Sequence, residues 1–199
     1  MSRRTTLIIV LISFTLVIPL TIYIFFPKPQ LPEHTIEAPV LAKEVWKPFT
    51  SSMKRFVVEL PNTPHHAHET RNISGSHGRI SYDMYVAQSR LGTTFMINVI
   101  EYPTQFDPSS SESILNGVFN DIVAGNDSSQ VVHNELGTFL DCPSIDFVLS
   151  HPRGNLKVRA FLHERLLFVL SVADKDVNAL DSLFSQFVDS FQILGSTQK

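Results

Sequence analysis

Apolar and polar residues after position 55 follow the period of β-strands over most of the chain. Alternation with a period of two predicts strands with one buried face at residues 56–60, 80–86, 145–149 and 156–162, and residues 131–136 are a candidate for a further short strand. Residues 94–101 and 165–172 are apolar on both faces, which is typical of central strands covered on both sides. Because the links between consecutive strands are short, the strands are expected to form an antiparallel sheet, with one turn at Gly137 and Thr138.

A first amphipathic helix is predicted between the two halves of this strand pattern. One stripe of its surface is apolar and consists of Ile114, Leu115, Val118, Phe119, Ile122 and Val123. Ser109 and Glu112 fit a capping box at the start of the helix. Gly125 and Asn126 fit a left-handed stop at its end.

A second amphipathic helix closes the chain. Its apolar stripe consists of Val177, Leu180, Leu183, Phe184, Phe187 and Val188. Asp174 or Asp176 is the expected cap at its start. An antiparallel sheet covered by two such helices belongs to the α+β class, which is the fold class that the sequence predicts.

The segment before the strand pattern is apolar and has the length of a membrane span. Residues 7–26 contain no charged residue, and Arg3 and Arg4 precede them. At about 1.5 Å per residue such a helix spans about 30 Å, the thickness of a bilayer's hydrocarbon core. The two arginines place the N-terminus in the cytoplasm and the rest of the chain outside. The alternative is a cleaved secretory signal, but no Ala-x-Ala motif follows the run.

The expected anchor divides the chain into segments with different roles. These are a cytoplasmic N-terminus at residues 1–6, the signal anchor at residues 7–26, a proline-rich linker at residues 27–48 and one α+β domain at residues 49–199. Three prolines at the start of the linker favour an extended spacer that holds the domain off the bilayer. Val45 and Trp46 are candidates for docking on the domain.

Composition excludes several classes of protein. The net charge is −3, with 16 basic and 19 acidic residues, so the chain lacks the basic surplus of a nucleic-acid-binding protein. Cys142 is the only cysteine, which excludes an intrachain disulfide framework. Its apolar surroundings favour a small buried side chain over a nucleophile.

One histidine-rich segment contains the candidate metal ligands. His66 and His68 point to the same side of an extended segment, because side chains alternate along a strand. Together with His77 across a hairpin, they predict a candidate zinc or copper site. The open alternative is an exposed polar edge strand, whose histidines discourage pairing with other chains.

The sequence has no recognisable catalytic or cofactor motif. It lacks the G-x-S-x-G elbow of α/β-hydrolases, a glycine-rich phosphate loop and a metalloprotease helix motif. Ser76 and His77 are adjacent in a turn, but adjacent side chains seldom aim at one another. Lys157, Arg159 and Arg165 form either a basic stripe for an acidic partner or a solvated face. We therefore expect no enzyme activity and no cofactor.

Three segments of the chain have a familiar pattern: the opening strand at residues 55–61, the hairpin at residues 158–172 and the closing Phe184-x-x-Phe187-x-x-Ser190-Phe191. These segments and the order of the elements resemble the PsbP-like superfamily, in particular its small bacterial extracytoplasmic domains. The resemblance covers about residues 49–194. It implies a PsbP-like antiparallel sheet with two helices, and an accessory or binding role without a catalytic centre.

These observations predict a single-pass membrane protein whose domain lies on the extracytoplasmic, periplasmic side. We expect that domain to bind other proteins of the cell envelope, and we expect no nucleic-acid partner. The alternative is a ligand- or metal-binding module that uses the segment from His65 to His77.

Overall fold

The computed structural model describes residues 44–72, 78–105 and 107–195. The strands are β1 (Lys47–Thr50), β2 (Phe56–Leu60), β3 (His65–Asn72), β4 (Arg79–Gln88), β5 (Thr94–Glu101), β6 (Gln130–Phe139), β7 (Cys142–His151), β8 (Gly154–His163), β9 (Leu166–Asp174) and β10 (Gln192–Ile193). The helices are α1 (Ser111–Ala124), which lies between β5 and β6, and α2 (Val177–Asp189), which follows β9.

Seven of these strands form one antiparallel sheet in the order β3-β4-β5-β9-β8-β7-β6. Each half of the sheet is a series of hairpins, and the pairing of β5 with β9 joins the halves at the centre. The two strands with apolar residues on both faces are therefore central, as their pattern predicts. β3 and β6 are the two edges of the sheet.

Both faces of the large sheet are covered, which gives three layers. One face packs against α2 and a small sheet of β1, β2 and β10, in a core rich in phenylalanine that includes Phe56, Phe95, Phe168 and Phe187. The other face packs against Leu115, Val118 and Ile122 of α1. The predicted α+β class, with an antiparallel sheet and two helices, is confirmed.

The predicted capping box of α1 is wrong. Asp107 accepts hydrogen bonds from the backbone N–H of Ser109 at 2.9 Å and from its hydroxyl at 2.8 Å, which holds Ser109 in a turn before the helix. The helix starts one residue later than the box requires, after Ser110, whose side chain makes no capping bond. For α2, the predicted cap at Asp176 is confirmed, since its carboxylate accepts from the N–H of Asn178 at 2.9 Å.

The predicted left-handed stop of α1 is also wrong. Gly125 has φ −77°, which is a right-handed conformation. The side-chain amide of Asn126 donates to the carbonyl of Ile122 at 2.6 Å, and its backbone N–H donates to the carbonyl of Val123 at 3.1 Å. These bonds satisfy carbonyls at the helix end, so a glycine in the left-handed region is not needed.

The turn predicted at Gly137 and Thr138 lies three residues further along. Both residues belong to β6 and pair with Ser144 and Pro143 of β7. The turn consists of Leu140 and Asp141, with φ of 50° and 60°, a conformation that suits the twist of a two-residue hairpin. Sequence inspection missed it because neither residue is a glycine or an asparagine.

The linker before the domain meets the core at Trp46. Its ring packs edge-on against Phe95, with centroids 5.0 Å apart, whereas Val45 is 70% exposed. β1 begins at Lys47 and so includes the last two residues of the predicted linker. None of the helices in the described residues is long and apolar enough to cross a membrane. The predicted anchor at residues 7–26 lies outside those residues.

Candidate functional site

The histidine segment forms edge strand β3, and two of its side chains meet a buried aspartate. His66 Nε2 and His68 Nδ1 each lie 2.9 Å from the same oxygen, Oδ1, of Asp83. Asp83 is directly opposite His68 in the register of β3 with β4, and it is only 2% exposed. The strand alternation predicts that Asp83 and Tyr85 lie on a largely wet face of β4, which is wrong because the small sheet covers that face.

Arg55 approaches Asp83 from the loop before β2. Its Nη1 lies 3.8 Å from Asp83 Oδ2, and both atoms are buried without a hydrogen-bond partner in the described structure. Its Nη2 pairs with Glu101, which also binds Arg165 at 2.5 Å. We name Arg55, His66, His68, Asp83 and Glu101 the Asp83 cluster. It joins the loop before β2 to three strands of the large sheet.

The geometry of the cluster shows which imidazole nitrogens face the carboxylate. An ionised carboxylate only accepts hydrogen bonds, so His66 Nε2 and His68 Nδ1 both donate to Asp83. The hydroxyl of Thr70 lies 3.3 Å from the other nitrogen of His68 and donates to it when the ring is neutral. The ring of His66 stacks on Tyr85 with centroids 4.3 Å apart. A metal ion can bind these two nitrogens only after their protons leave.

The structure brings together only two of the three predicted metal ligands. His66 and His68 converge, but His77 lies outside the described residues. Within the ranges that the structure describes, no group of three or more His, Cys, Asp and Glu side chains is arranged to hold a metal ion. The trio of His66, His68 and His77 therefore stays a prediction. The turn that contains Ser76 and His77 lies in the same undescribed segment.

Cys142 sits at the start of β7, next to a histidine. Its Sγ lies 3.4 Å from His163 Nδ1, and the thiol donates to the carbonyl of Leu140, also at 3.4 Å. Burial raises the pKa of the thiol, and the charges of Asp141 and Glu164 raise it further. The protonated thiol is a poor nucleophile, so this pair lacks the activated thiolate of a cysteine enzyme.

We expect Cys142 to resist alkylation in the folded protein. At pH 8, iodoacetamide should modify it at least about tenfold more slowly than in urea, because burial excludes the reagent and the raised pKa of the thiol limits the thiolate. Mass spectrometry of timed samples measures both rates. Equal rates in buffer and urea would show that the thiol is accessible and ionised.

The candidate basic stripe does not form a free positive surface. Lys157 binds Asp181 at 2.5 Å, Arg159 makes two bonds to Asp146, and Arg165 binds Glu101. Each of these cations is paired with a carboxylate, and Glu101 pairs with Arg55 as well. The interpretation as a solvated, internally paired face therefore fits the structure, and that of a stripe for an acidic partner does not.

The strand β6 exposes apolar side chains along the opposite edge of the sheet. Val131, Val132 and Leu136 are 45%, 66% and 43% exposed, and Leu140 in the adjoining turn is 44% exposed. We name these four residues the β6 edge surface. The sequence pattern predicts a strand here but gives no sign that it is an edge, because the strand order depends on long-range pairing.

The backbone of β6 also has free hydrogen-bonding groups. Phe139 and Cys142 close the two-residue turn, so they form a hydrogen-bonded pair. Because such pairs alternate along an antiparallel ladder, the N–H and C=O groups of Asn134, Leu136 and Thr138 point away from β7. A bulge between Val131 and His133 interrupts the ladder only near the other end of the strand.

A small cavity lies between the end of α1 and the β7–β8 turn. Its volume is about 110 Å³, and Asn126, Asp127, His151 and Arg153 are among its lining residues. Pockets for drug-sized ligands are about 300 to 1,000 Å³. This cavity therefore gives no support to an organic ligand of that size.

Comparison with known proteins finds a likeness in structure alone. No protein-family model matches the chain, and no curated protein matches it in sequence. Among solved structures, it is similar to the solution structure of cyanobacterial PsbP (CyanoP) from Synechocystis sp. PCC 6803. The TM-score is 0.47 at 8% sequence identity, and the match covers 80% of this chain and 98% of CyanoP. At this identity the likeness concerns the fold, and it transfers no activity or partner.

Proposed function

We propose that this protein is anchored in the membrane by residues 7–26 and that its exported domain binds other proteins of the cell envelope through the edge of β6. The observation that carries the proposal is the β6 edge surface, where apolar side chains lie beside unpaired backbone groups. An extended segment of a partner can add to such an edge as a further strand. Its backbone then supplies affinity, and its side chains supply specificity.

The two edges of the sheet differ in a way that favours β6 as the binding edge. Edge strands are usually protected by charged side chains, proline or bulges. β3 follows this rule, because its exposed residues include His65, Glu69 and Arg71. The stretch of β6 from Asn134 to Thr138 carries a single charge, at Glu135, and the bulge lies before it.

The extracytoplasmic location is supported by the charge and apolar pattern of the N-terminus. Protease treatment of intact spheroplasts should remove the domain from outside, while a cytoplasmic marker protein survives. A domain that is digested only after the cells are lysed would contradict this topology. The role as a binding protein would then need a cytoplasmic partner.

In-cell crosslinking of the tagged full-length protein tests the binding function. We expect a specific crosslinked protein, and we expect Leu136→Lys to reduce its yield about tenfold or more by placing a charge in the apolar contact. Thr70→Lys on β3 is the matched control, since it places the same charge on the other edge. Equal yields from the wild type and Leu136→Lys would exclude β6 as the binding edge.

The second candidate function is metal binding by the histidine segment. The observation in its favour is the convergence of His66 and His68 on Asp83. Titration calorimetry of the full-length protein with Zn²⁺ should then give one site that weakens as the pH falls, because the imidazoles must lose protons. Heat no larger than that of a His66→Ala, His68→Ala double variant would exclude this function.

A further inference from the structure

We propose that β6 pairs with β6 of a second copy of this chain, in antiparallel orientation about a two-fold axis at Leu136. This inference rests on the proposed function, because it names the partner of the same edge. A two-fold axis requires that the strand be complementary to itself. The sequence of β6 and its turn meets this requirement in one register.

The proposed register gathers the exposed apolar residues of β6 and its turn in one interface. With the axis at Leu136, this side chain faces Leu136 of the second copy. Four residues to either side of the axis, Val132 at the bulge and Leu140 in the turn lie at the two ends of the paired stretch. Val132, Leu136 and Leu140 are large hydrophobic residues that the single chain leaves exposed, at 66%, 43% and 44%. Pairing in this register brings the exposed apolar residues of both copies to one interface, with the contact between the two Leu136 side chains at its centre.

The polar groups are also compatible with this register. Asn134 faces Thr138 of the second copy, and both have backbone groups that point outward. The pairs at positions 134, 136 and 138 then supply about six inter-strand hydrogen bonds. Glu135 faces Gly137, so no like charges lie opposite one another.

A register shifted by two residues fits less well. An axis at Asn134 would bring Val132 opposite Leu136 and draw the bulge between Val131 and His133 into the ladder. Bulged strands pair poorly across the irregular step. The axis at Leu136 leaves the bulge outside the pairs at positions 134 to 138. This difference makes the proposed register specific enough to test.

Disulfide trapping of the full-length protein in its membrane tests the register. In a Cys142→Ala background, Leu136→Cys places two cysteines on the axis, with Cα atoms about 5.5 Å apart, within reach of a disulfide. In the same geometry the cysteines of Asn134→Cys lie about 14 Å apart and those of His133→Cys about 20 Å apart. We expect copper phenanthroline to convert most of the Leu136→Cys protein to dimer, and at least fivefold less of the two controls.

Several results would overturn the dimer. No dimer from Leu136→Cys, equal dimer from all three variants, or a maximum at Asn134→Cys would each contradict the axis at Leu136. The test also separates this inference from the function on which it rests. If Leu136→Lys abolishes crosslinking to a different envelope protein while Leu136→Cys forms no dimer, the binding function stands and the dimer fails. If Leu136→Lys leaves crosslinking unchanged and Leu136→Cys forms no dimer, both the binding function of β6 and the dimer fail.

Discussion

Replacing Phe56 by alanine is expected to destabilise the domain by about 4 kcal/mol. Its side chain is fully buried at the point where the small sheet meets the large one. Ring centroids of Phe191 and Tyr85 lie 5.2 Å and 5.3 Å away, and those of Phe49 and Phe168 lie 6.4 Å away. The change removes buried apolar surface and leaves a cavity that four rings cannot close without moving, and such substitutions cost about 3–5 kcal/mol.

Urea unfolding of the chain from residue 44 onwards, followed by tryptophan fluorescence, measures this effect. Trp46 is a suitable probe because it packs against Phe95 of the same core. Met53→Ala is the matched control, since Met53 lies in the loop before Phe56 and is 55% exposed. It should change the free energy of unfolding by less than about 0.5 kcal/mol. Equal small effects of both variants would show that the small sheet does not share the core.

Replacing Asp83 by alanine is expected to destabilise the domain by about 2–3 kcal/mol. The carboxylate accepts from His66 and His68 and lies 3.8 Å from Arg55. The histidines are partly exposed and can return to water when Asp83 is lost. Nη1 of Arg55 cannot, because it is buried without a hydrogen-bond partner in the described structure and only the charge of Asp83 faces it. Arg55 keeps its ion pair with Glu101 through Nη2, but its buried Nη1 loses the carboxylate that faces it, and such a loss carries a cost of this size.

Glu69→Ala provides the control for Asp83→Ala. Glu69 also forms an ion pair, with Arg71 at 2.7 Å, but the two side chains are 52% and 44% exposed. Exposed pairs contribute at most about 1 kcal/mol, so Glu69→Ala should have a small effect. A loss for Asp83→Ala no greater than that for Glu69→Ala would show that the Asp83 cluster does not stabilise the domain.

Hydrophobic periodicity predicts those strands and helices whose burial follows from the pattern of apolar residues within the element itself. Residues 94–101 and 165–172 are apolar on both faces and prove to be neighbouring central strands. The stripes of α1 and α2 likewise face the two sides of the sheet. Turns without glycine, such as Leu140 and Asp141, leave no comparable sign in the sequence.

The candidate site was harder to predict because it depends on long-range pairing. The segment with His66 and His68 is recognisable as a possible ligand cluster, but their partner Asp83 belongs to another strand. The register of β3 with β4 and the covering small sheet together make Asp83 buried. The β6 edge surface is likewise fixed by strand order, which residues 130–139 alone do not encode.

Site-specific photo-crosslinking at the two edges of the sheet tests the binding account most directly. A benzophenone amino acid replaces Thr138 on β6 or Thr70 on β3 in the full-length protein, and intact cells are illuminated. We predict a discrete adduct, with a second copy of the chain or with another envelope protein, from position 138 and none from position 70. Adducts from position 70 alone, or from neither position, would contradict the claim that β6 is the binding edge.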